Sequence, residues 1–488
     1  MCNSRSKQLE TDDNSRGPDA GAAVLNRKEP LMSIESQRTA LLRDAAERAI
    51  RYLDQLGNRQ VAPFEDAVTK LRELDEPLPR TAGNPAETLA MLDRVVGPAT
   101  MAMAGPRFFG FVIGGTLPAT LAANWLAGAW DQNAGLYDVT PGVSRLEQVA
   151  LRWLIELFGL PAACSGAFVT GATVANFTAL AAGRHEVLRR AGWNVEADGL
   201  FGAPPITVIV GAEAHPTLIK SLGLLGLGRS RVVTVPTDGQ GRMRADQIPP
   251  IAGPTILCLQ AGNVNTGAFD PVGEAGPRAR AAGAWVHVDG AFGLWARASQ
   301  FLAPQAAGLE HADSWATDAH KWLNVPYDSG IAFVREARAL PAAMAITAEY
   351  LPTDSPGRNP SDFTPELSRR ARGIEVWTAL RTLGAAGVRE LIERNCRQAR
   401  RFAERLRGTG FEILNDVVLN QVLVSFGDPE RTRRVIRALQ EDGTCWCGVT
   451  IWHGRTAMRI SVCSWATTDD DVEASVAAML RAASSAGA

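Results

Sequence analysis

Residues 284–292 read AWVHVDGAF. The run 284–288 is nearly continuous in apolar residues rather than alternating, which is the pattern of a strand buried on both faces. Similar short runs stand at 206–210, 231–235, 255–260 and 330–334, separated by helical stretches. Between about residues 115 and 335 this alternation argues for an open, mostly parallel sheet covered by helices. In such sheets ligands sit beyond the carboxyl ends of the strands. The residues that follow each strand are therefore the candidates for a site, and Asp289 is the first of them.

Outward from this centre the pattern changes. Residues 36–56 carry Leu41, Leu42, Ala45, Ile50 and Leu53 at helical spacing, and 86–96 repeats the theme, too thin an arm to fold alone. Beyond Arg370 the chain reads as α+β. An amphipathic helix (Val388, Leu391, Ile392, Ala399, Phe402, Leu406) leads to strands near 411–414 and 421–426, a helix at 432–440 and a strand at 458–463. Thr468 with Asp471 predicts a capping box opening a last helix. The division expected is a disordered tail (1–35), a helical arm (36–110), a large domain (111–350), a mobile loop (351–372) and a small C-terminal domain (373–488).

With 488 residues, 46% of them hydrophobic, the chain can bury more than one core. Lys+Arg 50 against Asp+Glu 52 gives a net charge of -2, with no global pull toward nucleic acid or a membrane surface. Seven scattered cysteines fit a reducing compartment better than a disulfide framework, and the Cys445/Cys447 pair reads as ordinary strand or loop. The polar first stretch lacks the apolar core of a secretory signal. The hydrophobic segment 114–130 is too short and broken to span a bilayer and reads as a buried core helix. The expected location is the cytoplasm.

Four segments carry chemistry. In 313–330, DSWATDAHKWLNVPYDSG, His320 and Lys321 are hemmed in by Trp315, Trp322, Leu323 and Pro326. A lysine usually lies on the surface, but here partial desolvation would favour the neutral amine and make it a nucleophile toward an aldehyde. Asp289, at a strand end, is either a turn residue or the carboxylate partner of a ring nitrogen, with small Ala291 two residues on. In 166–181, GAFVTGATVANFTALA, Gly171 permits close approach and Thr173 sits where an N-cap belongs, and the free N–H groups and dipole of such a helix start suit a phosphate. His215 follows the strand at 206–210; alone it reads as a structural histidine, and a neutral imidazole there could stack on a pyridine ring. The closely spaced Gly223, Gly226 and Gly228 follow a helix and precede a strand, the wrong order for a dinucleotide site.

Taken in order, these segments resemble the pyridoxal 5′-phosphate (PLP)-dependent group II decarboxylases, which include aromatic-L-amino-acid, tyrosine, histidine and glutamate decarboxylases. The resemblance runs from about Leu41 to Val476. H-V-D-x-A with a downstream D-A-H-K-W is its specific part, and PRFFGF at 106–111 a looser one. It implies the aspartate-aminotransferase-like α/β fold with a small α+β C-terminal domain, PLP as cofactor, an amino acid as substrate, and a homodimer with active sites at the interface. It implies Lys321 as the Schiff-base lysine, Asp289 as the partner of the pyridine nitrogen, Ala291 beside the ring and His215 stacked on it. Gly171, Ala172 and Thr173 become the phosphate cradle, with His320 close by and Asn263 a polar group near the cofactor. The implied reaction is decarboxylation of an L-amino acid to the amine.

The chain departs from the family at several positions. The loop at 354–372, DSPGRNPSDFTPELSRRAR, lacks the tyrosine that relatives carry there; Phe363 is its aromatic residue, and Tyr350 just before it is an alternative proton donor. Relatives without that tyrosine can oxidise the substrate to an aldehyde while losing CO₂, so aldehyde synthesis, another PLP carbon–carbon lyase or a non-catalytic PLP-binding scaffold are the alternatives. Asp318 replaces an asparagine, and its charge argues against direct contact with a phosphate. Phe111, Val112, Ile113, Gly114 and Gly135 depart from the substrate-pocket residues of aromatic decarboxylases. Arg369, Arg370 and Arg372 read as surface or interface charges rather than a second carboxylate site.

Overall fold

The computed structural model describes residues 34–346 and 355–486. Tyr350 and all but the end of the tail expected at 1–35 lie outside the described residues.

Seven strands form the larger sheet: β1 (Ser165–Val169), β2 (Thr207–Gly211), β3 (Val233–Val235), β4 (Thr255–Gln260), β5 (Trp285–Asp289), β6 (Ser314–Asp318) and β7 (Gly330–Val334). Their order is β1-β7-β6-β5-β4-β2-β3. β7 runs antiparallel to both neighbours, β1 and β6, while β2 to β6 are joined by parallel pairings. Every residue of β4, β5, β6 and β7 is buried because helices cover both faces, which explains the nearly continuous apolar runs read at β4, β5 and β7. This is the helix-covered, mostly parallel sheet that the resemblance implies. At the edge, the run read at 231–235 shrinks to β3, because 229–231 forms a 3₁₀ turn and Val233 is exposed.

Since β7 alone is reversed, the carboxyl ends of the other strands share one edge. Gly330, the first residue of β7, lies at that edge too. A Cβ there would fall 2.4 Å from the Gly171 Cα, so this close backbone crossing requires glycine.

The second sheet has the order β10-β11-β9-β8, with β8 (Glu412–Ile413), β9 (Gln421–Ser425), β10 (Gly448–Trp452) and β11 (Arg455–Ser461). The helices Gly373–Arg407, Pro429–Asp442 and Asp469–Ser485 pack on it around Phe402, Val435 and Met479. The predicted capping box forms, with Asp471 N–H donating to Thr468 Oγ1 at 3.2 Å and Thr468 N–H to Asp471 Oδ2 at 3.0 Å. The segment carrying PRFFGF joins this sheet: Phe109 N–H donates to the Trp446 carbonyl and its own carbonyl accepts from Ser461.

The helix Ile34–Gln55 and the shorter Pro85–Met91, continued by a π-turn at Leu92–Val96, make up the N-terminal arm. The segment read as a buried core helix requires correction. The helix Pro118–Trp130 buries Thr120, Ala123 and Ala127, whereas Trp125, Leu126 and Trp130 stand exposed. Its inward positions are small, so uniform hydrophobicity hid its two-sidedness. Among the described residues no helix is long and apolar enough to cross a membrane.

Candidate active site

Five strand ends converge on one cavity of about 450 Å³. Beyond β1 come Thr170, Gly171, Ala172 and Thr173; beyond β2, His215; at the end of β4, Gln260; at the end of β5, Asp289, with Ala291; at the end of β6, Asp318, with His320 and Lys321. Phe292 and Phe111 add aromatic walls. The sheet topology thus brings together eight of the nine residues named from sequence.

The helix Ala172–Arg190 starts at this edge with Gly171, not Thr173, at its N-cap, so its first-turn N–H groups, which lack intrahelical acceptors, point at the cavity. One of them, on Ala172, donates to Asp318 Oδ1 at 2.6 Å. Asp318 Oδ2 lies 3.1 Å from Lys321 Nζ and 3.6 Å from His320 Nε2. The charge that argued against Asp318 near a phosphate is therefore met by the lysine amine and the helix terminus. Burial pushes the His320 pKa down; its Nδ1 accepts from Ser329 N–H at 3.1 Å, and its ring stacks on Tyr327 at 4.3 Å.

His215 caps the helix Pro216–Leu224, with Nδ1 accepting from Thr217 N–H at 3.3 Å. Burial lowers its pKa, so the ring facing the cavity is a neutral imidazole. The buried Asp289 carboxylate accepts from Asn176 Nδ2 at 3.1 Å and from Ala291 N–H at 3.2 Å. Asn176 was not picked out in the sequence. It lies one helical turn after Ala172, and that spacing was the signal available.

Asn263 is the candidate that the fold does not bring to the cavity. Gly262 and Val264 line the wall, while the Asn263 carboxamide oxygen accepts from Asn265 and Thr266 N–H at 2.8 and 3.2 Å, closing a turn against Gly241. Phe111 and Val112 both adopt left-handed backbone (φ 54° and 58°), which leaves the Phe111 ring exposed against Trp446 at the cavity mouth. A Cβ at Gly114 would fall 1.8 Å from the Lys321 carbonyl, and one at Gly135 would fall 2.4 Å from the Leu367 carbonyl. Both glycines are demanded by packing.

Of the three arginines read as surface or interface charges, Arg369 and Arg372 are instead buried within the chain, while Arg370 stays partly exposed. Arg369 is fully buried and donates to Glu147 Oε1 at 2.9 Å, to the Ala134 carbonyl at 2.8 Å and to the Phe168 carbonyl at 2.7 Å. Arg370 pairs with Glu375, and Arg372 Nε donates to Asp328 at 2.8 Å. Phe363 is covered by the Arg358 guanidinium, 3.6 Å from its ring centre.

Comparison with known proteins places this geometry. The model of the pyridoxal-dependent decarboxylase conserved domain matches residues 69–427. Tryptophan decarboxylase 1 of Oryza sativa subsp. japonica is 27% identical over 415 residues, which span 77% of this chain and 80% of that protein. L-2,4-diaminobutyrate decarboxylase of Rhizobium meliloti (strain 1021) is 28% identical over 420 residues, 81% of this chain and 82% of that one. A crystal structure of Oryza sativa TDC with PLP and tryptamine superposes with a TM-score of 0.84 at 23% identity, covering 94% of this chain and 99% of that one, a likeness of fold.

Proposed function

The chain belongs to the pyridoxal-dependent decarboxylase family, and on that premise we propose that it converts an L-amino acid to its amine and CO₂, with Lys321 as the residue that carries the cofactor. The observation that supports this most is the convergence on one cavity of an amine, a buried carboxylate, a neutral imidazole and an open helix N-terminus. These are the groups that PLP needs: a partner for its aldehyde, its ring nitrogen, its ring face and its phosphate.

Bound there, PLP supplies an electron-withdrawing ring conjugated to the substrate α-carbon, able to accept the electron pair left when CO₂ departs. The chain's own groups do the rest. Lys321 Nζ would carry the cofactor covalently and give it up to the substrate amine. Asp289 would hold a proton at the ring nitrogen. His215 and small Ala291 would bound a flat slot, and the amides of Gly171 and Thr173 would hold the phosphate with the helix dipole, beside Ala172, whose N–H is taken by Asp318. Asp318 keeps the Lys321 amine beside the slot at 3.1 Å when it is released.

The proposal extends to a homodimer, which the exposed Trp125, Leu126, Trp130 and Phe111 support. The two relatives named above carry names with chemically unlike amino acids, so the substrate side chain is left to experiment. A second reading, decarboxylation with oxidation by O₂ to the aldehyde, ammonia and hydrogen peroxide, is favoured by the loop at 354–372, which has no tyrosine and whose Phe363 is sequestered under Arg358.

A panel of aromatic, acidic and basic amino acids, scored for CO₂, amine, aldehyde and hydrogen peroxide, tests both readings. CO₂ matched by amine supports the first, and CO₂ with aldehyde and peroxide the second. No CO₂ from any amino acid in the PLP-loaded protein sinks both.

A further inference from the structure

Asp289 is the last member of a buried chain of polar side chains that the reaction as described leaves unused. Trp285, His287 and Asp289 alternate along β5 and so share one face. That face meets the helix Ala172–Arg190, where Asn176 contacts His287 and Asp289, and Gly183 leaves room for Trp285. The contacts run Trp285 Nε1 to Ser314 Oγ (2.8 Å), Ser314 Oγ to His287 Nδ1 (2.8 Å), His287 Nε2 to Asn176 Oδ1 (2.8 Å) and Asn176 Nδ2 to Asp289 Oδ2 (3.1 Å). All four residues that lead to Asp289 are buried.

The direction of every bond follows from chemistry. An indole N–H only donates and a carboxylate only accepts. Asn176 must therefore turn its NH₂ toward Asp289, since the flipped amide would set oxygen against oxygen. Its oxygen, an acceptor, then requires a proton on His287 Nε2. Burial pushes the His287 pKa down to about 3, so the ring is neutral and Nδ1 is bare. Nδ1 accepts the Ser314 hydroxyl, which itself accepts from Trp285. Each link donates toward Asp289, and none carries a proton away from it.

We propose that Trp285, Ser314, His287 and Asn176 form a one-way donor relay whose role is to position the Asp289 carboxylate and keep it an acceptor toward the cavity. With Ala291 N–H on Oδ1 and Asn176 on Oδ2, both oxygens are fixed in place, and the carboxylate plane with them. The inference rests on Asp289 as partner of the pyridine nitrogen. Its members are positioning residues that act through Asp289.

The test is nitrogen NMR on ¹⁵N-histidine-labelled full-length protein at pH 7, before and after PLP is added. The chain has 6 histidines, and His287 is assigned by its loss in His287→Gln, or by single substitutions at the other positions should that variant not fold. The relay requires a neutral ring protonated at Nε2; an Nδ1–H tautomer or an imidazolium overturns it. This readout needs no cofactor, so it fails separately from the proposed function. Asn176→Ala should raise the PLP dissociation constant roughly tenfold or more, the weight of a hydrogen bond to a charged group. Isosteric Asn176→Asp should weaken PLP at least as much, because it replaces a donor with a carboxylate. A role in filling volume alone would leave Asn176→Asp at wild-type affinity, and that result overturns the relay.

Discussion

Arg369→Met is the perturbation whose effect the structure defines most fully. Arg369 has no exposed side-chain surface and Glu147 almost none, and one guanidinium nitrogen serves both carboxylate oxygens at 2.9 and 3.1 Å. Removing the arginine leaves a buried carboxylate without its partner, and breaking such a pair destabilises by about 3–5 kcal/mol. The Phe168 and Ala134 carbonyls lose donors as well. Arg358 opposes the loss. It is buried, its pKa is pushed down to about 10 by desolvation, and its charge is felt by Glu147. The lower part of the range therefore applies, a loss of about 3 kcal/mol. Urea unfolding followed by circular dichroism, with equal slopes for variant and parent, measures it. The double variant Arg369→Met/Glu147→Leu should recover most of the loss, because an apolar pair of similar volume needs no counter-charge. A single variant within about 1 kcal/mol of the parent, the weight of one ordinary hydrogen bond, would show that the pair holds nothing together.

Further outcomes are expected at the cavity. Asp289→Ala should lower kcat at least about a hundredfold, the scale of one preorganised electrostatic partner, and weaken PLP binding; normal turnover refutes its role. Gly330→Ala drives a methyl group to 2.4 Å from the Gly171 Cα, so PLP titration should show weakened binding and unfolding a loss of about 1–3 kcal/mol, whereas parental values for both would refute the close crossing. Tyr327 is about half exposed and stacks on His320 with ring centres 4.3 Å apart, and its phenol is protonated at neutral pH. If that hydroxyl protonates the α-carbon, Tyr327→Phe should shift product from amine toward aldehyde; an unchanged product ratio rules the hydroxyl out.

Of the strands that build the site, β2, β4 and β5 were legible because a strand buried on both faces shows a short, nearly continuous apolar run, whereas β1 (SGAFV) and β6 (SWATD), with small and polar residues breaking the run, went unread. The Thr468–Asp471 box was legible because capping is local. What escaped was whatever depends on a distant partner. Arg369 is buried because Glu147, 222 residues away in sequence, meets it. Asn176 looked like an ordinary helical residue until β5 came alongside. The Asn263 carboxamide oxygen is taken up by its own turn, a contact no reading of residue type at that position reveals. β10 went unread because alternate residues face solvent in a short edge strand without the apolar run.

The central claim is a covalent bond between Lys321 Nζ and the cofactor aldehyde, and borohydride reduction of the PLP-loaded protein followed by peptide mass spectrometry tests it most directly. Visible absorbance should bleach, and the reduced cofactor should remain on the peptide containing Lys321, while Lys321→Ala should bind PLP without fixing it. Cofactor fixed to another lysine, or a fully active Lys321→Ala enzyme, would contradict the assignment.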